Sequence, residues 1–263
     1  MGGMTDAAAE ILPGAEPFFF PGGPTGVLLV HGFTGSPQSL RPWGEYLAAA
    51  GLTVSCPLLP GHGTRWRDMA DTTWPQWYGS AQDALADLGQ SCRTTFVMGL
   101  SMGGTLTLLL AARHPEQVAG IVTVNASLGT DRRSATLAPL LARFVPSVAG
   151  VGSDVKAPGV TELAYDRTPL RAFASLRRLW ATTGPELAAV TCPALAFRSR
   201  VDHVVEASSG RALLAGLTST TVAEIVLENS YHVATLDNDK ETIFGESLEF
   251  VRAHTPVSPV KDG

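Results

Sequence analysis

A strand-like run, Thr94-Thr95-Phe96-Val97-Met98, passes through Gly99-Leu100-Ser101-Met102-Gly103-Gly104 and straight into a second apolar run, Leu106 to Ala112. The pattern predicts a strand that reverses sharply into a helix, with Ser101 at the apex. A serine hydroxyl is a weak nucleophile at its own pKa and gains reactivity only where a turn presents it to a base. Gly99 and Gly103, two residues to either side, remove the side chains that would clash in such a turn. The following helix, predicted over Thr105 to Arg113, aims the positive end of its dipole at the place where an oxyanion would form.

The flanking segments give the fold class. Gly26-Val27-Leu28-Leu29-Val30 is a continuous apolar run, as expected of a strand covered on both faces in a parallel sheet. A helix carrying Leu40, Trp43 and Leu47 follows, marked by Pro42 near its start and closed by Gly51. Strands are then expected at Thr53 to Leu59 and Val118 to Val124, with a helix bearing Trp74, Trp77 and Ala81 between them. Pro17-Phe18-Phe19-Phe20 reads as an edge strand. This βαβαβ alternation argues for an α/β protein built on a mostly parallel, doubly wound sheet.

The rhythm breaks between about residues 126 and 183, where no strand is evident. Leu137, Leu140, Leu141, Phe144 and Val145 fall on one apolar face, and a helix bearing Leu170, Phe173, Leu176 and Trp180 starts at Thr168-Pro169. This stretch is expected to be a short inserted helical cap on a single domain, with the core at 15–125 and 184–255. Core elements resume with a strand at Ala194 to Phe197, a helix from Ala207 to Leu217, a strand from Val222 to Leu227, and a last helix with Phe244, Leu248 and Val251. The tail from Pro256 is expected to fray.

The chain has 263 residues, enough to bury a large core, and a formal net charge of −5. No block of Lys or Arg offers the footprint of a nucleic-acid partner or of an anionic membrane surface. No run approaches the ~18 apolar residues of a membrane span, and the first ten residues lack a signal peptide's charged and apolar regions. Cys56, Cys92 and Cys192 are odd in number and without metal-ligand spacing, so free thiols in a reducing, cytoplasmic setting are expected. No histidine or cysteine cluster suggests a metal, and no Gly-rich turn has the Lys of a phosphate loop, so no cofactor is expected.

A serine nucleophile needs a histidine to take its proton and a carboxylate to hold that imidazole in the right tautomer. Of the six histidines, His232 lies in a loop after the last predicted strand, at the sheet edge where α/β proteins bind ligands. Asp202 follows another apolar strand at the same edge. The chain order Ser101, Asp202, His232 is the one expected on this fold. Backbone N–H groups of Met102, at the turn, and of Phe33, after the first apolar strand, are the candidate oxyanion donors. His31, His62, His114, His203 and His254 are read as structural or solvated.

His31-Gly32-Phe33-Thr34-Gly35, Gly99 to Gly104, the Asp202 loop and Ser230-Tyr231-His232-Val233-Ala234-Thr235-Leu236-Asp237 together resemble the small bacterial carboxylesterases and monoacylglycerol lipases of the α/β-hydrolase fold. The resemblance covers nearly the whole chain. It implies Ser101 as nucleophile, His232 as base, Asp202 as acid, and Phe33 and Met102 as oxyanion donors. It further implies a cap that forms an acyl tunnel and a small alcohol pocket sized for glycerol. Leu137, Leu141, Phe144, Val145 and Leu170 either line that tunnel or only pack the cap onto the core. The expected partner is a small-molecule ester, with at most transient contact with a lipid surface. Short-chain carboxylesterase, thioesterase or acyltransferase activity would use the same three residues. A non-catalytic binding protein on this scaffold is a further alternative, since fold alone does not decide function.

Overall fold

The computed structural model describes residues 10–132, 138–219 and 221–256. In chain order the elements are β1 (Phe18–Phe20), β2 (Thr25–Val30), α1 (Arg41–Ala49), β3 (Thr53–Cys56), α2 (Trp66–Ala70), α3 (Trp74–Ser91), β4 (Thr94–Leu100) and α4 (Met102–Arg113). They continue with β5 (Gly120–Val124), α5 (Ala138–Leu141), β6 (Ser147–Ala149), β7 (Arg167–Pro169), α6 (Leu170–Glu186), β8 (Ala194–Ser199), α7 (Ala207–Gly216), β9 (Val222–Leu227) and α8 (Lys240–His254). The tail expected to fray lies, beyond Pro256, outside the described residues.

Seven strands form one sheet in the order β1-β3-β2-β4-β5-β8-β9. All neighbours are parallel except β1, which runs antiparallel to β3 at the edge. This is the expected α/β-hydrolase architecture. Residues of β2 and β4 alternate between two apolar layers, as the period-2 geometry of a strand requires. Leu28, Val30 and Val97 join residues of α3, α4 and α6 in one layer. Val27, Leu29, Phe96 and Met98 join Trp43, Leu47, Phe244 and Leu248 of α1 and α8 in the other. Trp43 stacks on Phe244 with ring centroids 6.4 Å apart. With both faces covered, the continuous apolar runs in the sequence are accounted for.

The winding direction reverses between β2 and β4, since β3 lies outward of β2 while β4 and β5 extend the other way. At such a switch point the loops leaving adjacent strands diverge to opposite faces and open a crevice at their carboxyl ends. The loop after β2 carries Gly32 and Phe33, and the turn after β4 carries Ser101. Topology therefore brings the two candidate oxyanion donors and the candidate nucleophile to one place.

Two features differ from the sequence reading. The strand expected from Thr53 to Leu59 ends at Cys56, before Pro57, which cannot donate to a ladder. Between β5 and β8 there is a small sheet in which β6 pairs antiparallel with β7. Three residues per strand are too few to show an alternation in sequence.

Candidate active site

Ser101 sits between β4 and α4 with φ 57° and ψ −118°. A non-glycine residue holds such a backbone only when its surroundings enforce it. Two strand-like hydrogen bonds do so here, from Ser101 N–H to the Val124 carbonyl at 2.9 Å and from Ser127 N–H to the Ser101 carbonyl at 3.2 Å. The flanking glycines are obligatory for close approach. A Cβ on Gly99 would collide with the Gly103 backbone, and one on Gly103 with the Val30 carbonyl. Met102 opens α4, so its N–H has no intrahelical partner. Across the crevice, a Cβ on Gly32 would meet the Ser101 Cβ at 3.3 Å. Phe33, the next residue, is held edge-on by Trp77 and Phe173, with centroids 5.8 and 6.4 Å away.

His31 anchors the loop that carries Phe33. Its Nδ1–H donates to the Gly32 carbonyl at 3.0 Å, and its Nε2 accepts the Leu59 N–H at 3.1 Å. Burial, reinforced by neighbouring His62, pushes its pKa down to about 3. A neutral, fully bonded imidazole of this kind fixes a loop and is not a base, in line with the structural role read from the sequence.

His232 Nδ1–H donates to Asp202 Oδ2 at 2.8 Å, and both side chains are 8% exposed. Asp202 Oδ1 accepts the N–H groups of Val204 and Val205, each at 2.8 Å. Burial alone would raise the Asp202 pKa; the His232 charge, its hydrogen bond and the two amides outweigh it and hold the carboxyl below its usual range. Burial likewise opposes a charged His232, but Asp202, with help from Glu162 and Asp154, raises its pKa above the ordinary value. With Nδ1 committed to Asp202, Nε2 is the ring nitrogen left to exchange a proton.

Ser101 and His232 open on a cavity of about 380 Å³. Phe33, Leu141, Leu170, Phe173, Leu176 and Trp180 supply much of its apolar wall, and Val148 and Val151 add to it. Of the five apolar cap positions singled out in the sequence, Leu141 and Leu170 thus line the cavity, and Leu137 lies outside the described residues. Phe144 and Val145 do not line it; they are 80% and 39% exposed. The single apolar face expected for 137–145 assumes one continuous helix. In fact α5 stops at Leu141, and Pro146 disfavours helical backbone at Val145, so these two side chains turn outward and do not pack onto the core either.

Three polar residues at the site escaped the sequence reading. Asn125, at the end of β5 with φ 46°, donates from Nδ2 to Ser199 Oγ at 2.9 Å and to the His232 carbonyl at 2.8 Å, and accepts the Ser199 N–H at 2.7 Å. It thereby ties the end of β5 to the loops of Asp202 and His232. Its place directly after an apolar strand is the same signal that pointed to Asp202. Asp154 accepts the His232 N–H. Glu162 faces the cavity, and a Cβ on Gly35 would lie 2.7 Å from its Oε1. No local pattern marks either of these loop carboxylates.

Burial raises the Glu162 pKa to about 7, against the pull of His232. A carboxyl whose folded pKa exceeds its unfolded value near 4.5 destabilises the fold progressively as pH rises from 4.5 through 7, and by a constant amount above that. Glu162→Gln is therefore expected to match the wild type in urea midpoint at about pH 4.5 and to exceed it at about pH 8. Since the cavity mouth lets water reach the side chain, the gain is about 1–2 kcal/mol rather than the full value of the shift.

The chain is similar to known proteins along most of its length. The Hydrolase_4 family, described as serine aminopeptidase, S33, matches residues 25–239. The chain belongs to this family. It is 48% identical over 246 residues to the thermostable monoacylglycerol lipase of a Bacillus species, covering 93% of this chain and 97% of that one. It is 26% identical over 239 residues to a carboxylesterase of Bacillus subtilis, covering 90% and 96%. A solved structure reported for the metagenome-derived lipolytic enzymes LipS and LipT superposes with a TM-score of 0.91 at 45% identity, covering 93% of this chain and all of that one. The monoacylglycerol lipase of Paleococcus ferrophilus shares the fold, with a TM-score of 0.76 at 20% identity over 91% of this chain and all of that one. The protein is a carboxylic ester hydrolase of the α/β-hydrolase fold. Among the described residues, no helix is long and apolar enough to cross a membrane.

Proposed function

We propose that this hydrolase cleaves monoacylglycerols, with Ser101 as nucleophile, His232 as general base and acid, Asp202 as its partner, and the Phe33 and Met102 amides as oxyanion donors. The observation that carries this reading is the cavity on Ser101 and His232: mostly apolar, large enough for an acyl chain, yet carrying the carboxyl of Glu162. In the first half-reaction Nε2 of His232 takes the Ser101 proton as Oγ attacks the ester carbonyl. The tetrahedral oxyanion is received by the two amides, and collapse breaks the acyl–oxygen bond as His232 returns the proton to the departing alcohol. Water, activated by the same nitrogen, then releases the acid and restores Ser101. Glu162 is suited to accept hydrogen bonds from the free hydroxyls of a glyceryl leaving group. The likeness to the Bacillus monoacylglycerol lipase supports the same substrate class.

We take the stretch between β5 and β8 as a cap over the core. Leu140, Phe144, Val148 and Val151 expose apolar side chains there, and Val148 and Val151 also line the cavity. This supports transient docking on a lipid surface while substrate enters. The unpaired Cys56, Cys92 and Cys192 support a cytoplasmic setting.

The test is kcat/KM on a medium-chain monoacylglycerol beside the ethyl ester of the same acid. A preference of about tenfold or more for the glyceryl ester, equivalent to one charge-assisted hydrogen bond, is expected, and Glu162→Gln should narrow it. Equal cleavage of the two esters would leave a general carboxylesterase.

A further inference from the structure

The catalytic pair His232–Asp202 comes from the two loops that follow β8 and β9, which Asn125 and Ser199 tie together at the sheet edge through the His232 and Tyr231 carbonyls. A third carboxylate spans them. Asp154, in the loop between β6 and β7, accepts the His232 N–H at 3.1 Å and the His203 N–H at 3.2 Å through Oδ2. Its Oδ1 accepts the His203 Nδ1–H at 2.8 Å, and its backbone carbonyl accepts the Val233 N–H at 3.1 Å. His203 directly follows Asp202, so one side chain holds both the acid's neighbour and the base. The Asp154 side chain is only 10% exposed.

The same loop forms part of the substrate cavity through Val151, Gly152 and Glu162. It is clamped a second time by Asp237, whose carboxylate accepts the N–H groups of Lys156, Ala157 and Tyr231 at 2.7, 2.9 and 2.9 Å. We infer that Asp154 is a positioning residue for catalysis, holding His232 in register with Asp202 from the cap side and adding its negative charge next to the imidazole. The inference rests on the reading of His232 as the base.

The charged and titratable groups around His232 are Asp202 from the loop after β8, and Glu162 and Asp154 from the loop between β6 and β7. His203 lies against Asp154 and packs edge-on to Tyr231 at 4.6 Å, and the Lys156 ammonium lies 5.9 Å over the Tyr231 ring. Removing the Asp154 charge takes away one of the influences that raise the His232 pKa. The acid limb of the pH profile of kcat/KM should therefore move to lower pH.

The experiment compares Asp154→Asn, Asp154→Ala and Asp154→Glu with the wild-type enzyme on a soluble short-chain ester. Asp154→Asn, nearly isosteric, is expected to shift the acid limb down by about half a pH unit or more. Asp154→Ala should show the same shift and also lose about tenfold or more in plateau kcat, because two amides lose their acceptor. Asp154→Glu retains the charge and should keep the wild-type limb while its plateau falls. A wild-type limb in Asp154→Asn, or plateau losses that only follow the folded fraction, would overturn the inference. If Asp154→Asn does not fold, an Asp154→Glu limb displaced like that of Asp154→Ala overturns it equally. His232→Ala separates the two levels: retained turnover there refutes the catalytic reading itself, whereas an inactive His232→Ala beside an unshifted Asp154→Asn refutes only the role of Asp154.

Discussion

Ser101→Ala is expected to lower kcat on a medium-chain monoacylglycerol by about 10⁴–10⁶-fold, the range found when the nucleophile of such a triad is removed. The effect is large because the proposed mechanism breaks the ester bond only through the Ser101 Oγ. The residual rate comes from the Phe33 and Met102 amides, which can still stabilise an oxyanion formed by water. Folding should be little affected. The Ser101 side chain is absent from the hydrogen bonds that lock the turn, which run through its backbone N–H and carbonyl. Turnover assays and thermal melts on the same preparation check both halves.

Gly103→Ala is expected to act on the fold, with loss of activity as a consequence. Its Cβ would fall on the Val30 carbonyl group and 2.8 Å from the His31 carbonyl oxygen. All of these are backbone atoms at the end of β2, where a rotamer change cannot relieve the clash. The end of β2 is also where the Phe33 loop begins, so any relaxation displaces the oxyanion donor. A cost of about 4 kcal/mol or more is expected, a drop of roughly 8–16 °C in Tm for a chain of this size. Gly89→Ala is the matched control. Gly89 lies within α3, and an added methyl there would have nothing within 4 Å of it, so alanine should stabilise by about 0.4–1 kcal/mol through chain entropy and helix propensity.

The parts of this molecule that were legible in the sequence are those where local chemistry and global topology demand the same residues. Gly99 and Gly103 announce a turn that no larger side chain fits. The apolar runs of β2, β4 and β5 announce strands buried on both faces. His232 and Asp202 stand at strand ends in the one order the fold permits. The illegible parts depend on contacts distant in sequence. Glu162 faces the cavity across from Gly35, 127 residues away, and Asp154 reaches His232 across 78 positions. The strands β6 and β7 are three residues each, shorter than any periodicity can reveal. Phe144 and Val145 stand at helical spacing from Leu141, but α5 ends at Leu141, and exposed apolar side chains carry the same sequence signal as a packed face.

The most direct test of Ser101 as the reacting atom is covalent trapping with an alkyl fluorophosphonate, read by intact mass and peptide mapping. One adduct per chain, located on Ser101 and abolished in Ser101→Ala, is the predicted result, with labelling slowed in His232→Ala because the base is missing. A folded, ester-cleaving protein that takes no label, or takes it on another serine such as Ser127 at the cavity wall, would contradict it.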